Sequence, residues 1–267
     1  MPKTVMIFAA HPDDVEYSAG GTVARMIREG ARAIGVIASD GCRGSFELDG
    51  ETLVAVRAEE ARRAAKVMGA EPPVLLGHPD LELDRLEAGL LREQFIRLIR
   101  EHHPDVVIAH DPFAPYEPHP DHRAVGWAAS DALAFSPLPL VHPEHLADGL
   151  DPHFVPEKYF FSDPPATTNK VVDTSETMAA KMAALAEHKS QVRFLVEDVI
   201  RQGKLAGLDL RAILGEALDD PLAALTWAME AQAAEVGQRI GVAFGEAFRY
   251  ARFHPFVENL LQGLDSG

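Results

Sequence analysis

Short apolar runs alternate along the first 110 residues with longer stretches whose apolar side chains recur every three or four positions. The runs at Thr4–Ala10, Ala31–Ser39, Pro73–Gly77 and Asp105–His110 have the length of buried strands. Between them, Thr22–Gly30, Glu51–Met68 and Leu86–His102 carry helical periodicity, with Gly30, Gly69 and Pro104 as stops. Strands joined through helices pair in parallel. Right-handed crossovers then restrict the fold to an α/β, Rossmann-like, doubly wound and mostly parallel sheet of strand order 3-2-1-4-5.

Beyond His110 the pattern loosens. Prolines crowd between Pro112 and Pro165, around one helix at Arg123–Phe135 and short strands at Lys158–Ser162 and Lys170–Val172. Met178–Arg193 and parts of Leu195–Gln238 read as helix, and Phe244–Phe253 as a terminal strand. The chain therefore reads as one α/β domain over 1–267. Its Rossmann-like core runs to about residue 173, and 174–267 form a C-terminal helical and short-strand extension packed on that core.

Composition narrows the function classes. The 267 residues can bury a sizeable core. With 41 acidic against 25 basic side chains the formal charge is -16, which argues against nucleic acid or an anionic membrane as partner. No stretch approaches the roughly 20 apolar residues of a membrane span, and the N-terminus lacks the pattern of a signal peptide. The single cysteine, Cys42, permits no intrachain disulfide and fits a reducing, cytoplasmic setting. Any bound metal must therefore use imidazole and carboxylate ligands.

Two segments carry such groups. Ala10–Glu16 reads AHPDDVE and follows the first strand, in a loop at its carboxyl end, where open α/β sheets bind ligands. His11, Asp13 and Asp14 suit zinc or a similar divalent ion. Neighbouring side chains in an extended loop diverge, so one aspartate can ligate while the other faces a bound water. A plain turn with a helix-capping Asp is the competing reading. The Gly20–Gly21 pair then reads as close packing of the following helix against the sheet. The fourth strand runs into His110–His122, HDPFAPYEPHPDH. First and fourth strands are neighbours at the switch point of this topology, so both segments open onto one crevice. Three ligands plus water there make a catalytic rather than a structural site.

HPDD at His11–Asp14, GGT at Gly20–Thr22 and HPDH at His119–His122 resemble the LmbE/PIG-L family of zinc-dependent N-deacetylases. Ala184–Gln191, ALAEHKSQ, is similar to a further signature of that family. Asp111–Arg123, Leu133–Pro139 and Gly245–Arg249 look closest to its archaeal diacetylchitobiose deacetylases. The resemblance implies one Zn2+ per subunit on His11, Asp14 and His122. It implies Asp13 as general base, and His119 as oxyanion donor or acid to the leaving amine. Arg57, in VRAEE, matches an arginine near the reacting carbonyl, and Asp80 an acidic substrate-site position. His254 is the counterpart of a histidine that enters a neighbouring subunit's site, so a homo-oligomer, trimer or hexamer, is implied. Val15 stands where many members have Glu after the paired aspartates.

The expected activity is hydrolytic removal of the acetyl group from an N-acetylglucosamine-containing sugar. Deacetylation of an N-acetylglucosaminyl thiol or glycolipid precursor is one alternative, and a non-catalytic metal- or sugar-binding module another. Tyr116, Phe113 and Trp127 offer rings to a sugar face, with Trp127 more at home in the core. His188 reads as a cap at a helix C-terminus.

Overall fold

The four apolar runs of the first half pair in parallel on one side of a seven-stranded sheet, in a computed structural model that describes residues 2–162, 167–215 and 220–265. Strands β1 (Thr4–Ala9), β2 (Arg32–Ser39), β3 (Val74–His78), β4 (Val106–His110) and β5 (Glu157–Phe161) take the order β3-β2-β1-β4-β5. All neighbours among them are parallel. This is the doubly wound order expected from the alternation. β6 (Lys170–Asp173) and β7 (Gly245–Ala251) complete the sheet as β5-β7-β6, and both pairings are antiparallel. A strand from the end of the chain is thus inserted beside β5.

Side-chain alternation along β1 feeds two hydrophobic layers. Met6 and Phe8 face Phe95, Ile96 and Ile99 of α3 (Leu90–His102) and Val125 and Ala129 of α4 (Pro120–Phe135). Val5, Ile7 and Ala9 face Val15 and Val23 of α1 (Asp14–Arg28) and Ala64 and Met68 of α2 (Gly50–Met68). Ala184 of α6 (Met178–Leu185) and Phe248 of β7 join this second layer. Each large side chain buried this way stabilises the fold by about 1.5–3 kcal/mol, which explains why β1 and β4 are apolar throughout rather than alternating. Buried Arg100 of α3 donates to the carbonyls of Ser136, Leu138, Val141 and His142, anchoring the proline-rich stretch. Pro165, the expected end of that stretch, lies outside the described residues.

Four elements depart from the sequence reading. α1 begins at Asp14, not at Thr22, and runs through Gly20 and Gly21. α3 starts at Leu90 rather than Leu86, behind Gly89 at φ 91°. The helix read at Met178–Arg193 is broken at Ala186–His188 into α6 and α7 (Lys189–Leu205). β7 is not terminal, because α10 (Pro255–Asp265) follows it. α5 (Glu144–Ala147), α8 (Leu210–Leu214) and α9 (Pro221–Gln238) are the remaining α-helices of the described residues, and Leu83–Arg85 form a 3-10 turn.

The glycine pair lets α1 pack closely against the C-terminal part of the sheet and α6, the close packing expected from sequence. Backbone N–H groups of Gly21 and Thr22 donate to the Glu246 carboxylate on β7, itself paired with Lys181 of α6. A Cβ on Gly21 would lie 2.8 Å from Thr174 Cβ. Tertiary contact here overrides the poor helix propensity of two glycines.

Candidate metal centre

β1 and β4 are adjacent, so the loops leaving their carboxyl ends face each other. The structure brings His11, Asp13, Asp14, His119 and His122 together there. His11 Nδ1 lies 3.2 Å from His122 Nε2 and 3.6 Å from Asp14 Oδ2. His122 Nε2 lies 3.5 Å from Asp14 Oδ1. A tetrahedral zinc with bonds of about 2.0–2.1 Å needs ligand atoms about 3.3 Å apart. Two imidazole nitrogens and one carboxylate meet that spacing and leave one position open.

Each of the three is held from behind. His11 Nε2 donates to Asp80 Oδ1 at 3.2 Å, with Asp121 Oδ2 at 3.5 Å, which turns Nδ1 inward. His122 Nδ1 lies 3.2 Å from Glu117 Oε1, which turns Nε2 inward. Asp14 Oδ2 accepts the backbone N–H groups of Ala10 and His11 at 3.0 and 2.8 Å and lies 3.1 Å from His110 Nε2. Carboxylates behind ligating histidines fix the tautomer and the ring. His110, Glu117 and Asp121 were not assigned roles from sequence. Only their places inside HDPFAPYEPHPDH mark them.

The charge balance calls for a cation. Burial works against the charge of Asp14, yet His122, His110 and His11 hold its carboxyl well below the usual range. Burial opposes protonation of His122 too, but Asp14 and Glu117 raise it to about 9. His11 is likewise driven up, against burial, by Asp121, Asp14 and Asp80. A divalent ion on these ligands displaces those protons, so the donor set fits a metal in charge as well as in spacing.

Asp13 stands apart from the three. Its φ of 124° is a strained conformation for a non-glycine residue. The strain turns it away from its neighbour and onto Arg57, which donates Nη2 to Asp13 Oδ1 at 3.1 Å and to the Pro12 carbonyl at 2.7 Å. Burial pushes the Asp13 carboxyl up, and Arg57 pulls it down only in part. Arg57 is 3% exposed and also donates to the Gly41 carbonyl. At Gly41, φ +66°, a Cβ would fall 2.5 Å from Arg57 Nη1, so the loop after β2 needs glycine there.

His119 accepts the backbone N–H of Asp121 on Nδ1, 3.3 Å, which leaves its ring proton on Nε2. Burial, then His11 and His122, push it down to about 4, so the ring is neutral at pH 7. Its ring centroid lies 4.5 Å from that of His11.

Position bears on three expectations and overturns one of them, the core placement of Trp127. Both oxygens of Asp80 are engaged, by His11 and by the Arg43 N–H, and its carboxyl is brought to about 2 despite burial, chiefly by the His11 hydrogen bond. It therefore holds His11. His254 is exposed and follows Ala251, which pairs with Lys158 at the amino end of β5. That is the sheet edge opposite the metal centre, so His254 does not join the site of its own chain. Trp127 is 49% exposed on α4, not core, and meets Phe113 edge-on at 5.0 Å. Beside them Tyr116 is almost wholly exposed, at φ 64°.

Elsewhere among the described residues, His142, Glu144 and His145 also cluster. Arg100 and Glu93 already occupy the two ring nitrogens of His145.

A family model described as PIG-L, GlcNAc-PI de-N-acetylase, matches residues 6–133, which span both loops of the centre. A diacetylchitobiose deacetylase of Thermococcus kodakarensis is 33% identical over 192 residues, 71% of this chain and 70% of the relative. This chain belongs to the PIG-L family. A probable N-acetyl-alpha-D-glucosaminyl L-malate deacetylase 2 of Bacillus cereus is 26% identical, covering 74% of this chain and 88% of the relative. The structure of an N,N'-diacetylchitobiose deacetylase from Pyrococcus horikoshii superposes with a TM-score of 0.76 at 28% identity, over 96% of this chain and 88% of the other. Membership makes this PIG-L protein a hydrolase of a carbon–nitrogen bond other than a peptide bond.

Proposed function

We propose that this protein is a zinc-dependent N-deacetylase of a short N-acetylglucosamine-containing sugar of the diacetylchitobiose type. One observation carries the reading. His11 Nδ1, His122 Nε2 and the Asp14 carboxylate converge within 3.6 Å, and Asp13 stands beside them outside the set. The relatives from Thermococcus and Pyrococcus, both named for diacetylchitobiose, support the substrate.

His11, Asp14 and His122 would hold the ion. Bound zinc supplies Lewis acidity that activates a water and polarises the acetyl carbonyl. Asp13 takes a proton from the attacking water, and Arg57 keeps its carboxylate oriented. His119, neutral and protonated on Nε2, donates to the developing oxyanion. The proton taken by Asp13 passes to the sugar nitrogen as the C–N bond breaks, because an unprotonated amine leaves poorly. Acetate and a free amino sugar result.

A homo-oligomer belongs to the same reading, with His254 entering a neighbouring subunit's site. Its support is that His254 lies at the wrong sheet edge for its own. A cytoplasmic location, where Cys42 stays a thiol, completes it.

The test is acetate release from N-acetylglucosamine, diacetylchitobiose and an N-acetylglucosaminyl malate, with zinc and with chelator. Release from diacetylchitobiose that chelation abolishes is the expected result. Preference for the malate glycoside would move the substrate to the precursor class. Metal binding with no acetate from any of the three would overturn the enzyme and leave a binding module.

A further inference from the structure

The break between α6 and α7 places a buried histidine behind the site. His188 is 0% exposed and donates Nε2 to Glu16 Oε2 at 3.1 Å. Its Nδ1 is buried and has no hydrogen-bond partner among the described residues. Buried polar atoms left without a partner are rare and call for an explanation. The neighbours show where the ring stands. Its partner Glu16 lies in the first turn of α1, the helix that Asp13 begins as N-cap, and Gly44 packs against both Gln191 and Arg57 Nη1, which sets the ring on the Asp13 side of the site, within electrostatic reach of that carboxylate. On either side of the histidine, Glu187 pairs with Arg63, Ser190 donates to Glu60, and Gln191 donates to the Gly44 carbonyl. The Glu187–Gln191 turn is thereby pinned to α2, the helix that carries Arg57.

We propose that Glu16 and His188 form a positioning dyad for the Asp13 carboxylate. The proposal rests on Asp13 being the proton acceptor of the reaction. Asp13 needs its negative charge, yet it is half-buried, next to the negative Asp14, and in a strained backbone. Arg57 meets it from one side. His188 adds a second positive or dipolar group, and Glu16, on the same helix as Asp14, fixes that ring through Nε2. Fixed dipoles around a buried ion replace the water it has lost. The helix break then has a purpose, since a continuous helix would carry His188 past this position.

His188→Asn tests it, alone and in the Asp13→Asn background. In the single variant, kcat falls roughly 10-fold or more, the size typical of lost orienting partners. KM and metal content stay within about two-fold, and in the Asp13→Asn background the second substitution changes kcat little. A merely structural histidine would lower activity equally in both backgrounds, and that outcome overturns the dyad. Glu16→Gln, measured the same way, serves if His188→Asn fails to fold. A crystal structure of the variant is the readout independent of turnover, with Asp13 Oδ1 expected to leave its 3.1 Å contact with Arg57. If the unaltered protein releases no acetate, the proposed function fails, and the crystal structure alone decides the dyad. An Asp13 still seated on Arg57 overturns it.

Discussion

The centre has two walls of different construction. The metal-facing wall is built from the loops after β1 and β4, and each inward atom has a carboxylate or backbone amide fixing it from behind. The base-facing wall is built from α2, whose Arg57 meets the Asp13 carboxylate, and from the α6–α7 break, whose His188 meets Glu16. Asp13 and Asp14 are adjacent in sequence, yet their surroundings drive their pKa values in opposite directions, up for Asp13 and down for Asp14. Two groups titrating apart in one site mark a division of labour. One wall sets whether the ion binds, and the other sets what is done with it.

Substitutions on the two walls should therefore separate metal content from turnover. His122→Ala removes one of three ligands and is expected to leave the purified protein without metal and without activity, as read by elemental analysis and acetate release. Asp13→Asn should keep the metal while kcat falls about 10²–10⁴-fold, the usual contribution of a general base. A variant that lost metal and turnover together would erase the distinction. Asp80→Asn leaves the ligands in place but loosens His11. Metal affinity should drop about 10–100-fold, measured by competition with a chelator, with near-normal kcat at saturating metal.

Legibility in the sequence follows the same division. The metal-facing wall could be read because its donors sit in two short motifs at the ends of apolar strands. Its orienting groups were hidden, since Asp80 and Asp121 reach His11 from across the fold and no local spacing marks Glu117 as the carboxylate behind His122. Arg57 and Asp80 were expected at the substrate, and what no sequence pattern showed is that these buried side chains hydrogen-bond Asp13 and His11. The base-facing wall was harder still. EHKSQ was visible as a signature, but the break that exposes His188 to Glu16 lies inside a run with helical periodicity. The order β3-β2-β1-β4-β5 was readable from alternation, whereas the insertion of β7 beside β5 was not, because strand partners far apart in sequence leave no periodic trace.

Stability offers a milder probe of how the C-terminal segment supports the wall that carries Asp14. Gly21→Ala gains up to about 1 kcal/mol of helix propensity in isolation. In the fold the new Cβ lies 2.8 Å from Thr174, also against its Cγ2, with Glu246 Oε1 at 3.1 Å. Overpacking of this kind costs about 1–3 kcal/mol, so the substitution should destabilise on balance. Denaturant unfolding measures it, and a more stable variant would show that α1 and β7 are loosely docked.

The smallest expected effect is a pH dependence carried by the base-facing wall alone. Burial disfavours a charged His188, but the hydrogen bond and charge of Glu16, with Asp13 and Glu60 beyond, raise its pKa above the usual 6.5. The folded state thus holds this proton more tightly than the unfolded chain does. Its contribution to stability is fully present below about pH 6.5. It fades as pH rises through the raised folded-state value, where both states have released the proton. Melting of the metal-free protein followed from pH 6 upward should show a decline that His188→Asn lacks. The reverse slope, stability rising with pH in the unaltered protein and flat in the variant, would mean that the ring is buried neutral and that Glu16 does not hold it as a cation.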